Sequence, residues 1–385
     1  MRIQPFSIDV SQEVLDDLQR RLANTRWPDD IPGSGWGYGT DLGYLKELVE
    51  YWRTEFDWRA QERAINSFDQ FRTEIGGLGI HFIHERGKGP GPFPLVISHG
   101  WPGSICEMLK LIPLLVDPAT DGGDPADSFD VVVPSLPGYG FSDRPRKPGM
   151  SNLRIAEMWK ELMVDGLGYR RFGAQGGDWG GMISSRLGFA FPQEVAGVHL
   201  NLLTGVPAHR GAGQRELSLA EQEFLRSARH WIETEGGYFH IQRTKPQTLS
   251  YGLNDSPVGL AAWLVEKYRT WSDCDGDVEK SFTKDELLTN ITVYWVTQTI
   301  GSSARHYYEN RAIPWRFEPG QRVEVPCAVA VFPKEINLPP REWAERTHNV
   351  QRWTEMPRGG HFAALEEPHL LAEDIRAFFR PLRER

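Results

Sequence analysis

The stretch Gln175-Gly176-Gly177-Asp178-Trp179-Gly180-Gly181 constrains this chain more than any other. Glycines on both sides of a single carboxylate suit a sharp turn from a strand into a helix. Main-chain atoms crowd there, and the central side chain is lifted clear of the sheet. Upstream, Phe172–Gln175 can close a short buried strand. Downstream, Met182, Ile183 and Leu187 recur at helical spacing until Pro192 stops the pattern. A glycine-rich turn with a capping aspartate would have the same letters, but this context favours the elbow. A carboxylate at its tip needs no base to become nucleophilic at neutral pH. It suits displacement at a saturated carbon, leaving an alkyl ester behind. The chemistry indicated is opening of an epoxide or displacement of a halide, not attack on an amide.

The whole chain narrows the class further. Its 385 residues, 40% hydrophobic and 25% charged, can hold one large α/β domain with an insertion, or two domains. A net charge of −9 argues against nucleic acid and anionic membranes as partners. The 14 tryptophans suit an apolar cavity as well as a large core. Cys106, Cys274 and Cys327 are odd in number and far apart, with no metal-ligand spacing and no disulfide framework, which fits a reducing compartment. Met1–Phe6 lacks the apolar core of a signal peptide or membrane anchor, and no later uncharged run reaches transmembrane length. The expectation is a soluble, cytoplasmic protein without a cofactor or metal; a homo-oligomer stays open.

Four stretches are expected. Residues 1–68 read as a helical meander on the core. Ser11 can cap a helix with Val14, Leu15, Leu18 and Leu22 in one stripe, and a second helix carries Tyr44, Leu45, Leu48, Val49 and Trp52. Residues 69–202 hold strand-like runs at Gly79–His84, Leu95–Ser98, Phe129–Val133, Phe172–Gln175 and Val195–Leu200, separated in the later part by helical patterns, which argues for a mostly parallel sheet. Residues 203–321 read as helices alone, with starts at Asp255-Ser256-Pro257 and at a capping box, Thr283 and Glu286. Such an insertion has the form of a lid. Strands resume over 322–385 at Cys327–Phe332 and around Thr354–Met356, before a final helix with Leu370, Leu371, Ile375 and Phe378.

Regenerating a carboxylate nucleophile requires activated water, hence a base and a group that orients it. His361, in the Gly-rich loop Arg358–Phe362 before the last helix, is the candidate base. Glu335, at the exit of the strand Cys327–Phe332, is the candidate acid, although Lys334 beside it also fits a solvated loop. The order Asp178, Glu335, His361 is that of an α/β-hydrolase, a mostly parallel sheet flanked by helices. In that fold the oxyanion hole draws one amide from the loop His99–Gly103 and one from the residue after the nucleophile. Trp101 and Trp179 are therefore the expected donors, since Pro102 has no N–H. His99 is expected to shape the loop by hydrogen bonding. An epoxide oxygen also needs a proton donor, and tyrosine is protonated at neutral pH. Tyr238, Tyr251, Tyr268, Tyr294, Tyr307 and Tyr308 are all candidates on residue type alone.

The chain resembles the microsomal-type epoxide hydrolases, a family that includes insect juvenile-hormone hydrolases and soluble bacterial members. The resemblance is carried by Ile3–Phe6, Thr25–Trp27, Tyr51–Trp58, His99–Ser104, Pro137–Ser142, Gly176–Gly180, Thr244–Pro246, Asn254–Leu260 and Arg358–Ala364, spanning nearly the full length. It implies Asp178 as nucleophile, Glu335 as acid and His361 as base. It also selects Tyr238, in Gly237–Gln242, and Tyr307, in Ser302–Tyr307, as the pair that activates the epoxide oxygen; adjacent Tyr308 leaves a one-residue register ambiguity. The vertebrate enzymes carry a membrane-anchor helix, whereas this chain begins directly with the meander, implying a soluble form serving secondary metabolism or detoxification.

A haloalkane dehalogenase shares the aspartate, the histidine and a tryptophan after the nucleophile, but would need indole or amide donors for halide in place of the tyrosines. A ligand-binding protein that lost turnover would be expected to show a damaged triad, and all three positions are filled. Trp231, Trp263, Trp271 and Trp295 in the lid point to a bulky or aromatic epoxide, or are simply lid core.

Overall fold

Strands apolar at nearly every position must be covered on both faces. Phe129–Pro134, Phe172–Gly176 and Val195–Leu200 are buried throughout. The computed structural model describes residues 1–203, 216–312, 315, 317, 318 and 320–383. It builds those strands into the middle of a nine-stranded sheet. The strands are β1 (Gln4–Pro5), β2 (Gln70–Ile75), β3 (Leu78–Glu85), β4 (Phe93–Ser98), β5 (Phe129–Pro134), β6 (Phe172–Gly176), β7 (Val195–Leu200), β8 (Val323–Val331) and β9 (His348–Glu355). Their spatial order is β1-β2-β3-β5-β4-β6-β7-β8-β9. Pairing is antiparallel from β1 to β5 and parallel from β5 to β9.

Two strands lie outside the sequence expectation. β2 is polar at four of its six positions, and a Gly76-Gly77 turn, with φ of 58° and 79°, folds it onto β3. Gln4 and Pro5 then pair with Arg72 and Phe71, so the N-terminal segment extends the sheet as well as packing on it. β9 also begins well before Thr354, a polar edge strand that gives no apolar run.

The flanking helices before β7 are α1 (Gln12–Ala23), α2 (Leu42–Thr54), α3 (Trp58–Ile65), α4 (Leu111–Val116), α5 (Asn152–Lys160) and α6 (Asp178–Ala190). Leu18, Leu22, Leu48 and Trp52 from the first two are buried in one cluster with Phe82 and Val132 of the sheet. Each fully buried side chain of this kind contributes about 1.5–3 kcal/mol. Ser11 precedes α1 as expected, but its side chain makes no capping bond; Asp41 caps α2 by accepting from the Tyr44 N–H at 2.7 Å.

Between β7 and β8 the described residues form α7 (Leu219–Glu235), α8 (Gly237–Thr244), α9 (Pro246–Asp255), α10 (Pro257–Trp271), α11 (Lys284–Thr297) and α12 (Ile300–Ala312). Residues 204–215, the start of the expected lid, lie outside the described residues. Both anticipated helix starts form. The Ser256 hydroxyl accepts from the Gly259 N–H at 3.0 Å. The Thr283 hydroxyl accepts from the Glu286 N–H at 3.2 Å, while the Glu286 carboxylate accepts from the Thr283 N–H at 2.9 Å. Among the described residues no helix is long and apolar enough to cross a membrane.

Candidate active site

The site forms where strand order reverses, at the carboxyl ends of β4 and β6, the place an open α/β sheet offers to ligands. Ser98 pairs with Gly176, so the loop leaving β4 and the elbow leaving β6 stand side by side. A Cβ on Gly180 would lie 1.9 Å from the Ser98 carbonyl oxygen, and one on Gly100 would lie 2.3 Å from the Asp178 Cβ. Glycine at both positions is what lets the strands, loop and helix approach. Asp178 itself has φ of 46°, a left-handed conformation that costs a non-glycine residue roughly 1–3 kcal/mol. The surrounding elbow holds that strain at the head of α6.

Asp178 Oδ1 accepts the Trp101 backbone N–H at 2.8 Å, and the Trp179 backbone N–H also donates to this carboxylate. Burial nevertheless raises the carboxyl pKa above its usual range, against the lowering effect of His361 and the two amides. His99 is not placed as a base. Its Nδ1 bonds the Gly100 carbonyl at 3.1 Å and its Nε2 accepts the Leu136 N–H at 3.2 Å, while burial pushes its pKa down to about 4. It is a neutral brace for the loop.

Sheet register carries the other two residues into place. Beyond β8 and β9, Lys334 bridges Gly360, which sets Glu335 beside His361. Glu335 Oε1 accepts from His361 Nδ1 at 2.6 Å and from the Ile336 N–H at 2.6 Å. His361 Nε2 then faces Asp178 Oδ2 at 3.6 Å. Both His361 and Glu335 are buried. Burial alone would lower the imidazole pKa; Glu335, Asp178 and Glu107 together lift it to about 9.

The helical block forms the roof. Tyr238 of α8 stacks on Trp101, with ring centroids 5.2 Å apart and planes at 5°. Tyr307 of α12 stands edge-on to Trp179 at 4.7 Å and to Tyr238 at 5.9 Å. The two phenols hydrogen bond one another, and burial, with Asp178 adding to it, raises both well above the ordinary tyrosine pKa. Tyr307 is 4% exposed and Tyr308 46%, as expected of neighbours about 100° apart around a helix. Tyr251 is exposed, Tyr268 stacks on Phe362 at 4.3 Å, and the Tyr294 hydroxyl donates to the Gly103 carbonyl at 2.8 Å. Only Tyr238 and Tyr307 of the six candidates pack on the two tryptophans whose amides hold Asp178. Of the four lid tryptophans, Trp271 lies 5.1 Å from His361 and Trp231 lies 6.2 Å from Tyr238. Trp263 bonds Gln242 instead, and Trp295 meets Arg21.

Two residues here had no sequence signal. Asn290 of α11 donates to the Pro102 carbonyl at 2.8 Å and accepts from the Ser104 hydroxyl at 2.7 Å; with Tyr294 it ties the β4 loop to the helical block. The second, Glu107, lines a cavity of about 10 Å³ together with Asp178, His361, Gln175 and Asn201. Among the described residues no group of His, Cys, Asp and Glu is arranged to hold a metal. The arrangement has a carboxylate held by two amides, a charged imidazole behind it and two phenols in front. It is equipped to alkylate the carboxylate, donate to a leaving oxygen and bring water onto the resulting ester.

The chain is similar to known proteins. The family model for the epoxide hydrolase N terminus matches residues 3–108, and that for the alpha/beta hydrolase fold matches residues 94–209. The chain is 40% identical to epoxide hydrolase 1 of the rabbit, Oryctolagus cuniculus, over 98% of its own length and 88% of the relative's. The crystal structure of juvenile hormone epoxide hydrolase from the silkworm Bombyx mori superposes with a TM-score of 0.85 at 32% identity, covering 100% of this chain and 94% of that one. The Aspergillus niger epoxide hydrolase structure does so with a TM-score of 0.86 at 31% identity, covering 99% and 97%.

Proposed function

The chain belongs to the epoxide hydrolase family, with an α/β-hydrolase fold, and from that premise we propose a two-step hydrolysis of an epoxide to a vicinal diol through an ester on Asp178. Oδ2, the oxygen not held by Trp101, attacks an epoxide carbon from the side opposite its C–O bond. That bond breaks, and the new alkoxide takes a proton by way of Tyr238 and Tyr307, whose high pKa values keep them donors at neutral pH. Asp178 is now a neutral hydroxyalkyl ester.

The second step adds water to the ester carbonyl. His361 Nε2 takes a proton from the water while Glu335 holds Nδ1 and the imidazolium charge. The developing oxyanion at Oδ1 meets the amides of Trp101 and Trp179, donors already aimed at it. Collapse expels the diol oxygen, which receives the proton from His361; the acid left on Asp178 then gives its own proton to the imidazole, restoring the resting carboxylate and imidazolium. Asp178 also sustains the raised pKa of His361 in the resting site. Ester formation removes that charge, so the imidazolium gives up its proton, which replaces the one the tyrosine pair lost to the alkoxide, and His361 is neutral when a base is needed.

The observation that carries this reading is the split of the Asp178 carboxylate, one oxygen 2.8 Å from the Trp101 amide and the other 3.6 Å from His361 Nε2. The helical block acts as a lid. The rings of Trp231 and Trp271 near the tyrosine pair fit a bulky or aromatic epoxide. Three free, buried cysteines fit a reducing, cytoplasmic setting.

One observation favours a second reading, dehalogenation: the buried indole nitrogens of Trp101, Trp179 and Trp271 make no hydrogen bond, and such donors can receive a halide. Intact mass of the His361→Gln variant after exposure to epoxides and haloalkanes separates the two. A gain of one whole epoxide mapped to Asp178 is expected. An alkyl gain from haloalkanes alone would favour dehalogenation, and a folded variant that gains nothing from either would overturn both.

A further inference from the structure

Water cannot attack an ester productively unless it is held on more than one side, and a buried water ordinarily makes two to four hydrogen bonds. The cavity of about 10 Å³ against Asp178 and His361 has room for about one water. Besides Asp178, its lining includes one further carboxyl group, Glu107, in the short helical turn Ile105–Met108 after the β4 loop. The loop is shaped around that side chain. A Cβ on Gly103 would lie 1.8 Å from Glu107 Oε2, and the Gly100 N–H donates to the carboxyl.

We propose that Glu107 is a positioning residue that hydrogen bonds the hydrolytic water in this cavity and, with His361 Nε2, aims its lone pair at the Asp178 ester carbon. This rests on the ester mechanism above. The Gly100 amide holds the carboxyl, and glycine at position 103 leaves the side chain the room it occupies against the cavity. The groups facing it are His361 and Asp178 across the cavity, Glu335 behind His361, and Tyr268 and Tyr294 from the helical block. Burial, reinforced by Asp178 and Glu335 and opposed by His361 and the Gly100 amide, pushes its own pKa up to about 8. At neutral pH Glu107 is therefore mostly an acid. It can exchange hydrogen bonds with water without competing with His361 for the proton or adding full charge beside Asp178.

Single-turnover kinetics resolve the two steps. With Glu107→Leu, ester formation is expected to stay within a few fold of wild type. Ester hydrolysis should slow roughly a hundredfold, the cost of a reactant misplaced by about an ångström, and the Asp178 ester should accumulate in the mass spectrum. Glu107→Gln, neutral and able to hydrogen bond, should recover most of that loss at pH 7. Hydrolysis at the wild-type rate in Glu107→Leu would overturn the assignment. Equal slowing of both steps would also overturn it, since that marks a structural role. If neither wild type nor His361→Gln ever forms an ester on Asp178, the underlying mechanism fails instead, a result distinguishable from either.

Discussion

His361 Nε2 and Asp178 Oδ2 stand 3.6 Å apart, an ion pair too long for a good hydrogen bond. That spacing lets each stabilise the other's charged form while leaving the approach to Oδ2 free. The consequence can be titrated. His361 is raised from 6.5 to about 9, so folding gains from its proton fully below the unfolded pKa and loses that gain as pH rises from about 6.5 through about 9. Glu107, raised from 4.5 to about 8, acts in the same direction over its own range. Melting temperature should fall across this window in the wild-type protein and fall less in Asp178→Asn, whose His361 resonances should titrate at lower pH. Identical titrations in the two proteins would rule out the coupling.

The tyrosine pair should act on the first step alone. Tyr238 and Tyr307 hydrogen bond each other and are buried over the tryptophans that flank Asp178. Replacing either by phenylalanine leaves one donor and should slow ester formation; removing both should cost roughly a hundred- to ten-thousand-fold. Ester hydrolysis, measured on preformed intermediate, should stay near wild type. Stopped-flow fluorescence of the neighbouring tryptophans would follow both phases, and an unaltered alkylation phase in the double variant would remove the pair from the mechanism.

Glu335→Gln should show the converse pattern. The carboxylate holds Nδ1 at 2.6 Å and is the largest contributor to the raised pKa of His361. An amide there still fills the space but withdraws the charge that supports an imidazolium, so hydrolysis of the ester should slow by more than its formation. Rapid-quench mass spectrometry would read this as ester accumulating during turnover. No accumulation would move the orienting role to another acid.

How much of this was visible beforehand depended on whether local chemistry or distant contacts did the work. The elbow was legible because crowding at Gly176–Gly181 demands small residues in the sequence itself. Glu335 and His361 were legible as exits from the final strands, since an apolar run such as Cys327–Phe332 announces its own end. β2 was not, because Gln70–Ile75 has no apolar run and owes its strand conformation to pairing with β3 across the Gly76-Gly77 turn. The choice among six tyrosines could not come from residue type. It depends on helix phase, which buries Tyr307 and exposes Tyr308, and on packing between segments far apart in sequence. Asn290 was invisible for the same reason, since it matters through a loop far from it in sequence; Glu107 adjoins that loop, but its place depends on a cavity shared with the distant Asp178 and His361.

Asn290 offers a test of how the helical block supports the chemistry. Its side chain is 2% exposed, donates to the Pro102 carbonyl at 2.8 Å and accepts from the Ser104 hydroxyl at 2.7 Å. Asn290→Leu keeps the volume but leaves that carbonyl and hydroxyl buried without their partner, a loss of about 1–3 kcal/mol for each group left unsatisfied. Denaturant unfolding should register it. The same bonds hold the segment that carries the Trp101 N–H, so the oxyanion donor should lose its aim and ester hydrolysis should slow. Ser104→Ala leaves the bond to Pro102 in place while removing the second bond and the one the hydroxyl accepts from the Cys106 N–H at 3.2 Å, so it should slow ester hydrolysis less than Asn290→Leu. If Asn290→Leu destabilised the protein while hydrolysis of the ester ran unchanged, the block would cover the site without setting the geometry of the loop beneath it.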